Sequence, residues 1–575
     1  MKKFFTNLIA ISLTLGVALG ATACGIGVVD EGSVDNSKTQ LNIASYSGGG
    51  GYKWLDDAIK RFEEKYKDFS FEEGKMGVEI HAYHDKLYSQ SKTIDDIATS
   101  DKDIYFAPAS YQQMARGTDM MDITSWITES STFDSKTIES KMDDSTKEIL
   151  KVNGNYYGLP YYDFFPGATY DAGLFEEKNL YFSDQTDTDG TKKFVSKTYK
   201  TKSCGPDRAF GTYDDGLPSS YQEFYKLLDQ MVKMGVIPFA FNGGATHYTN
   251  MLMAGLTANL VGVEGMKANV NFDSNGTPVE IVTSFDGNTP VIGNIVLTEE
   301  NAYLIKQSAG LYYASEFCEK IFSNTQYFDI KSAAETSQNI SAMDRFLRSG
   351  WDQRISQNYI AMIIEGSYWY NEAISEGVMD TAKKYDPSGN GGVKDLKFMP
   401  FPHQYAGTVT PVAEGEQPES QVLLSVSQAY CFARKEMPEE RKEVAKLFVQ
   451  FCYSDEELAL AELSNNGVSR SLNYDTTSIQ NNLPTYAKSL NEMKDQASKN
   501  GTLFITQSQN HIFLKHNEFA LAQNDSYWRS SPSGKSAVST VYDAFFGGKD
   551  KLTAKEYFQG LAISESSWRQ DYVNS

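Results

Sequence analysis

From Leu41 onward the sequence alternates short apolar runs with amphipathic stretches, at a spacing that few folds accommodate. LNIASY reads as a strand, SGGGG as a turn, and residues 52–67 as a helix whose stripe is Trp54, Leu55, Ala58, Ile59, Phe62 and Tyr66. VEIHAY is a second strand; a helical stretch through IDDIAT, a third strand DIYFAP and a short helix around YQQMAR follow. Strand, helix, strand in this order needs a crossover between neighbouring strands, which predicts an α/β fold with a parallel sheet and helices on its faces. A second strand-helix region follows residue 160, with helices at YQEFYKLLDQMVKMG and AYLIKQSAGLYYASEFCEKIF. Two polar insertions, 183–218 and 262–290, are rich in Gly, Asp, Asn and Thr and read as loops or added hairpins. Near residue 421, QVLLSVSQAYCFARK again has strand character, and Pro438 opens a helix with the stripe Val444, Leu447, Phe448 and Phe451. The tail from Ser454 reads as mostly helical, and there is no internal repeat.

A chain of 575 residues is long enough for two large domains or several small ones. Its formal charge of −22 keeps it soluble and argues against a polyanion, and so against nucleic acid, as partner. Aromatic residues make up 13% of the chain, with 35 Tyr and 33 Phe, more rings than a core alone requires. That surplus makes a ring-lined binding surface worth seeking.

At the N-terminus, Lys2 and Lys3, an apolar run from Leu8 to Gly20 and the small residues Ala21-Thr22-Ala23 read as a secretory signal over 1–23. The apolar part is shorter than a membrane-spanning helix needs. Cys24 stands where bacterial lipoproteins carry the lipidated cysteine, and residues 24–38 then read as a tether between an anchor and a folded body. Ala21 occupies the place that usually holds Leu, so the same residues also fit an Ala-x-Ala cleavage that releases a soluble protein. The remaining Cys204, Cys318, Cys431 and Cys452 are too few and scattered for a disulfide framework or a close-spaced zinc site, and are expected as buried thiols.

Four stretches carry a resemblance. They are LNIASYSGGGGYKWLDDAIKRFEEKYKD, DIYFAPASYQQMARGTDMMDITSWI, NGNYYGLPYYDFFPGATYDAGLFEEKNL and AMIIEGSYWYNEA. In this order they resemble the opening strand and helix, the segment to a Leu-Thr-type boundary, the Tyr-Gly-x-Pro crossover and the Ala-Met-x-x-x-Gly-Ser-Trp element of extracellular solute-binding proteins of family 1, the maltose-binding-like sugar receptors of bacterial ABC importers. Asp171-Ala172-Gly173 departs from the Asn-Lys that usually precedes the Leu-Phe of that crossover. The resemblance implies a two-lobed periplasmic-binding-protein-like fold of type II, hinged around a ligand cleft. Placed by these motifs, one lobe holds 39–160 plus 400–455 and the other 161–399 plus 456–575. It also implies a monomeric, non-enzymatic receptor on the outer face of the cell membrane that passes a carbohydrate, such as an oligosaccharide, to ABC permease subunits.

Within that frame, YIAMII is a buried strand, Glu365 to Ser367 its turn, and Ser367 is placed to cap a helix beginning at Tyr368. Ligands of open α/β sheets bind beyond the carboxyl ends of strands, where such turns lie. Flat rings cover the apolar face of a sugar while carboxylates and amides take its hydroxyl rim. Trp369 is the expected stacking platform, with Glu365, Tyr368 and Glu372 beside it, although neighbouring helical residues point in different directions and at least one of the three successive rings Tyr368, Trp369 and Tyr370 is expected to be structural. Tyr46 and Ser47, at the end of the first strand, and Tyr161, Tyr162 and Asp163, just past the crossover, are further ligand candidates; a hinge packed by its own aromatics is the alternative for the latter three. Asn242 and His247 follow the strand-like VIPFAF, and Trp351 is a further platform or a core anchor.

The insertion CGPDRAFGTYDDG spaces Asp207, Asp214 and Asp215 around Gly211, a loop that suits calcium or a solvated acidic surface, though without EF-hand spacing. No other cofactor is required. A peptide or other small-solute receptor would use the same clamp, and a secreted glycoside hydrolase would also show rings and paired carboxylates. No G-x-S-x-G, H-E-x-x-H or complete P-loop is present.

Overall fold

The computed structural model describes residues 34–86, 88, 97, 99–109, 111–243, 245, 247–334, 340–402, 404–413, 415–506 and 525–570. Cys24 and the segment 1–33 lie outside the described residues. Two sheets organise the chain. In the first, Thr39–Ser45 runs parallel to Val78–His84 on one side and to Ile104–Pro108 on the other. This is the parallel arrangement the strand-helix alternation predicts. The sheet then turns antiparallel: Leu423–Ala433 pairs antiparallel with both Ile104–Pro108 and Gly158–Phe164, and Leu503–Thr506 adds a parallel strand to it. In the second sheet the order is Ile237–Ala240, Ile360–Gly366, Pro166–Asp171, Leu396–Met399, with only the first pair parallel.

The helix Lys53–Tyr66 buries Trp54, Leu55, Ala58, Ile59 and Phe62 against the first sheet, as its 3.6-residue stripe requires. Phe62 meets Phe448 and Phe451 of the helix Glu439–Cys452 at ring separations of 5.2 and 5.5 Å. Each fully buried ring or branched chain of this kind contributes about 1.5–3 kcal/mol relative to exposure. The second sheet packs on its own helices, including Tyr221–Lys233, whose N-cap Ser220 accepts a hydrogen bond from Glu223 N.

The chain passes between the lobes at points that differ from the expected boundaries. Only Phe165 separates Gly158–Phe164 of the first sheet from Pro166–Asp171 of the second. Helix Asp455–Ser464 stays with the first lobe, where Glu457 takes a two-pronged ion pair from Arg61 of Lys53–Tyr66. Leu503–Thr506 returns to the first sheet, so the tail from 456 is shared between lobes instead of belonging wholly to the second. The tail's apolar residues find open strand edges and helix faces in both lobes, which a boundary set by motif order does not register.

The insertion after 183 forms a short hairpin, Phe182–Thr186 with Lys192–Phe194, tied by Lys226 Nζ to Asp187, Thr191 and the carbonyl of Lys192. The second expected insertion is part helix: residues 247–271 are helical with a break at Gly262 (φ 74°, ψ 177°), and the hairpin Pro278–Asp286/Thr289–Val296 follows. Glycine alone adopts that backbone without strain. Cys204, Cys318, Cys431 and Cys452 are all buried and unpaired. Among the described residues no helix is long and apolar enough to cross a membrane.

Candidate functional site

The loop after the first strand and the turn after Ile360–Gly366 meet face to face, one from each lobe. Gly49 (φ 58°) and Gly51 (φ 71°) take left-handed conformations that let the loop 47–51 lie flat. A Cβ on Gly49 would stand 2.5 Å from the hydroxyl of Tyr162, so only glycine allows that ring its place. From the other lobe, the helix Trp369–Ser375 grips this loop. Gly49 N donates to Glu372 Oε1 at 3.2 Å and Asn371 Nδ2 donates to Gly49 O at 3.2 Å. Asn466 Nδ2 steadies Asn371 Oδ1 at 3.0 Å, and Lys86 pairs with Glu376 alongside. The lobes are therefore in contact at this loop.

Behind this contact lies a group of tyrosines and carboxylates drawn from separate elements. The Tyr368 hydroxyl donates to that of Tyr248 at 3.2 Å, and the ring of Phe164 meets Tyr368 edge to face at 5.0 Å. Burial pushes both phenols well above their ordinary range, and the charges of Glu365 and Glu372 push them further. Tyr46 is raised to about 12, first by burial and then by Glu372. Glu372 is itself raised by burial, against the opposing pull of Gly49 N and Lys86. Glu365 is 2% exposed at the carboxyl end of its strand. Tyrosines held neutral beside acids present hydroxyls that both donate and accept, which suits a neutral polyhydroxyl ligand.

Among the expected residues, Tyr46, Glu365, Tyr368 and Glu372 lie within electrostatic reach of one another, the ring of Tyr162 packs on Gly49 and Gly50, and Ser47 belongs to the same loop. Asn242 is buried just past Ile237–Ala240, which runs parallel to Ile360–Gly366, and so sits at the same end of the sheet. His247 opens the helical segment 247–271, and its side chain lies outside the described residues.

Several expectations are corrected. Trp369 is no platform: it is fully buried in the second lobe, its Nε1 donates to Thr169 Oγ1 at 2.6 Å, and Phe346 and Tyr486 cover its ring. Ser367 does not cap the helix, which starts at Trp369 without a side-chain cap; its Oγ accepts from Phe165 N at 3.0 Å, tying the turn to the crossover. Tyr161 is structural, wedged between Trp54 and Phe106 with its hydroxyl on Gly51 O at 2.7 Å. Asp163 faces the hinge and accepts from Ser425 Oγ and Ser471 Oγ, each at 2.8 Å. Trp351 lies before the start of Ile360–Gly366, near Lys394, about 20 Å of strand away from the cleft end.

The three acids of the insertion do not form a ligand set either. Asp214 accepts from Asp207 N and Thr212 Oγ1, Asp207 from Ala209 N and Gln496 Nε2, and Asp215 from Gly211 N, so each acid is turned to a protein donor. Among the described residues no group of three or more His, Cys, Asp or Glu is placed to hold a metal ion.

Sequence reasoning missed Tyr248 and Asn371. Tyr248 directly follows the candidate His247, and nothing in the sequence singled it out. Asn371 carried no signal, because its partner Gly49 comes from the other lobe.

No protein-family model matches the chain, and no curated protein sequence matches it. Solved structures do, and they show the fold: the two-lobed α/β architecture of periplasmic-type solute-binding proteins. A chitin oligosaccharide binding protein is 14% identical with a TM-score of 0.54, covering 93% of this chain and 99% of its own. The SBP RafE in complex with raffinose is 11% identical with a TM-score of 0.51, covering 91% of this chain and 99% of its own. A mannobiose complex of the ABC-transporter binding protein BlMnBP1 from Bifidobacterium animalis subsp. lactis is 12% identical with a TM-score of 0.50, covering 94% of this chain and 95% of its own.

Proposed function

We propose that the chain is the extracellular substrate-binding component of an ABC importer, a non-enzymatic receptor that captures a carbohydrate, an oligosaccharide in size, and hands it to a membrane permease. The observation that carries this reading is the cluster of Tyr46, Tyr248, Tyr368, Glu365 and Glu372 enclosed between two lobes. The fold shared with chitin oligosaccharide, raffinose and mannobiose binding proteins supports it. In this reading the open form admits the sugar, its hydroxyls bond with the phenols and acids, and the closed population grows by the difference in affinity between the two states. The receptor works as a monomer, lipid-anchored through Cys24 at the outer face of the membrane.

The test is a thermal-shift screen of residues 25–575 against mono- and oligosaccharides and peptides, with the sugars recovered afterwards. A sugar at 100 times its Kd adds about 2.7 kcal/mol to stability and moves the midpoint by degrees. A shift with intact oligosaccharide is the expected result. Shifts with peptides alone would sink the carbohydrate reading, and cleaved sugar would sink the receptor reading.

A further inference from the structure

Asp163 stands one residue before the end of Gly158–Phe164, at the point where the chain leaves the first lobe. Its Oδ2 accepts two hydroxyls, and each comes from a different passage between lobes. Ser425 lies on Leu423–Ala433, just after the chain has returned from Leu396–Met399 of the second sheet. Ser471 lies in the segment joining Asp455–Ser464 of the first lobe to Thr485–Lys499, the helix that packs on Leu396–Met399. Asp163 N also donates to Ser469 O at 3.2 Å. One residue thus knots three of the passages that must bend when the lobes move.

The knot is only half satisfied. Asp163 is 4% exposed, yet its second oxygen, Oδ1, accepts no hydrogen bond among the described residues. A buried carboxylate with empty acceptor sites carries an uncompensated desolvation cost, which water relieves once the site opens. Among the described residues no cation pairs with it. Arg470, adjacent in sequence to Ser471, turns its guanidinium to the carbonyls of Tyr161 and Cys452 instead.

We propose that Asp163 is the positioning residue of the hinge: hydration of its carboxylate favours the open form, the hydroxyls of Ser425 and Ser471 offset that in the closed form, and the balance sets how far the empty receptor is closed. The inference goes beyond the carbohydrate reading and does not depend on it, because the bonds of Asp163 join the passages between the lobes whatever the ligand.

The experiment measures the ligand-free open and closed populations by single-molecule energy transfer. Labels are placed through Lys60→Cys on one lobe and Lys384→Cys on the other, in the full-length chain with Cys24→Ser; the four remaining cysteines are buried. Asp163→Asn keeps an oxygen for the serines and removes the charge, so it is expected to raise the closed fraction. Ser425→Ala with Ser471→Ala leaves the charge without donors and is expected to raise the open-to-closed ratio roughly tenfold. If the double variant does not fold, Ser471→Ala alone is expected to shift the ratio the same way by a smaller factor. Opposite shifts support the assignment. Unchanged populations, or the same shift in the Asn and Ala variants, overturn it by reducing Asp163 to ordinary packing.

Discussion

At the scale of single residues, Tyr368 and Trp369 are neighbours with different duties. Trp369 is an anchor of the second lobe, with its indole N–H consumed by Thr169. Trp369→Ala is expected to cost about 3–5 kcal/mol, read by urea unfolding, through the cavity it leaves. A loss under 1 kcal/mol would mean the ring is not core. Tyr368→Phe keeps the ring and removes the bond to Tyr248, so it should cost about 1 kcal/mol in the same measurement. The run of three rings announced an important turn in the sequence, but which ring faces inward was not legible. That choice depends on Phe346 and Tyr486, which approach from distant parts of the chain. Ser367 teaches the same lesson: a serine before a helix has the chemistry of a cap, yet the crossover's Phe165 N claimed it.

At the scale of elements, periodicity was legible wherever one face of an element meets one neighbour. The first three strands and the Trp54–Phe62 stripe lie as their patterns predict. Leu423–Ala433 was legible as a strand but not as the antiparallel centre of the sheet, since its partners come from a different stretch of chain. The loop 47–51 yields a prediction: Gly49→Ala puts a methyl group against Tyr162 on a left-handed backbone and should cost about 1–2 kcal/mol. Thermal unfolding of that variant at unchanged midpoint would count against the tight approach. The acidic insertion yields another. Burial raises the carboxyls of Asp207 and Asp214 above their ordinary range, and for Asp214 the charge of Asp207 adds to the effect. Folded-state values raised in this way give stability that is complete below about 3.9, the unfolded value, and is lost as pH climbs through the folded-state values. Hydrogen exchange across 203–217 should therefore quicken as pH rises, beyond the intrinsic rate, and Asp214→Asn should flatten that dependence.

At the scale of the whole molecule, two lobes in contact imply a compact particle, with a radius of gyration of about 25 Å for a chain of this length. Asn371→Ala with Glu372→Ala removes the grip on Gly49 and should raise that radius in ligand-free small-angle scattering; no change would mean these contacts do not hold the lobes. The existence of two lobes was legible from the order of motifs, whereas the tail's division was not, because Leu503–Thr506 pairs through backbone groups that any apolar segment offers. The interleaving of the lobes also governs how the molecule is made. Leu423–Ala433 fills the place between Ile104–Pro108 and Gly158–Phe164, so both earlier strands keep a bare edge until most of the chain has been synthesised. Pairing across such separations is slow, and a half-made chain with open edges is prone to aggregate. The first lobe is therefore completed late, by a strand from the last third of the sequence.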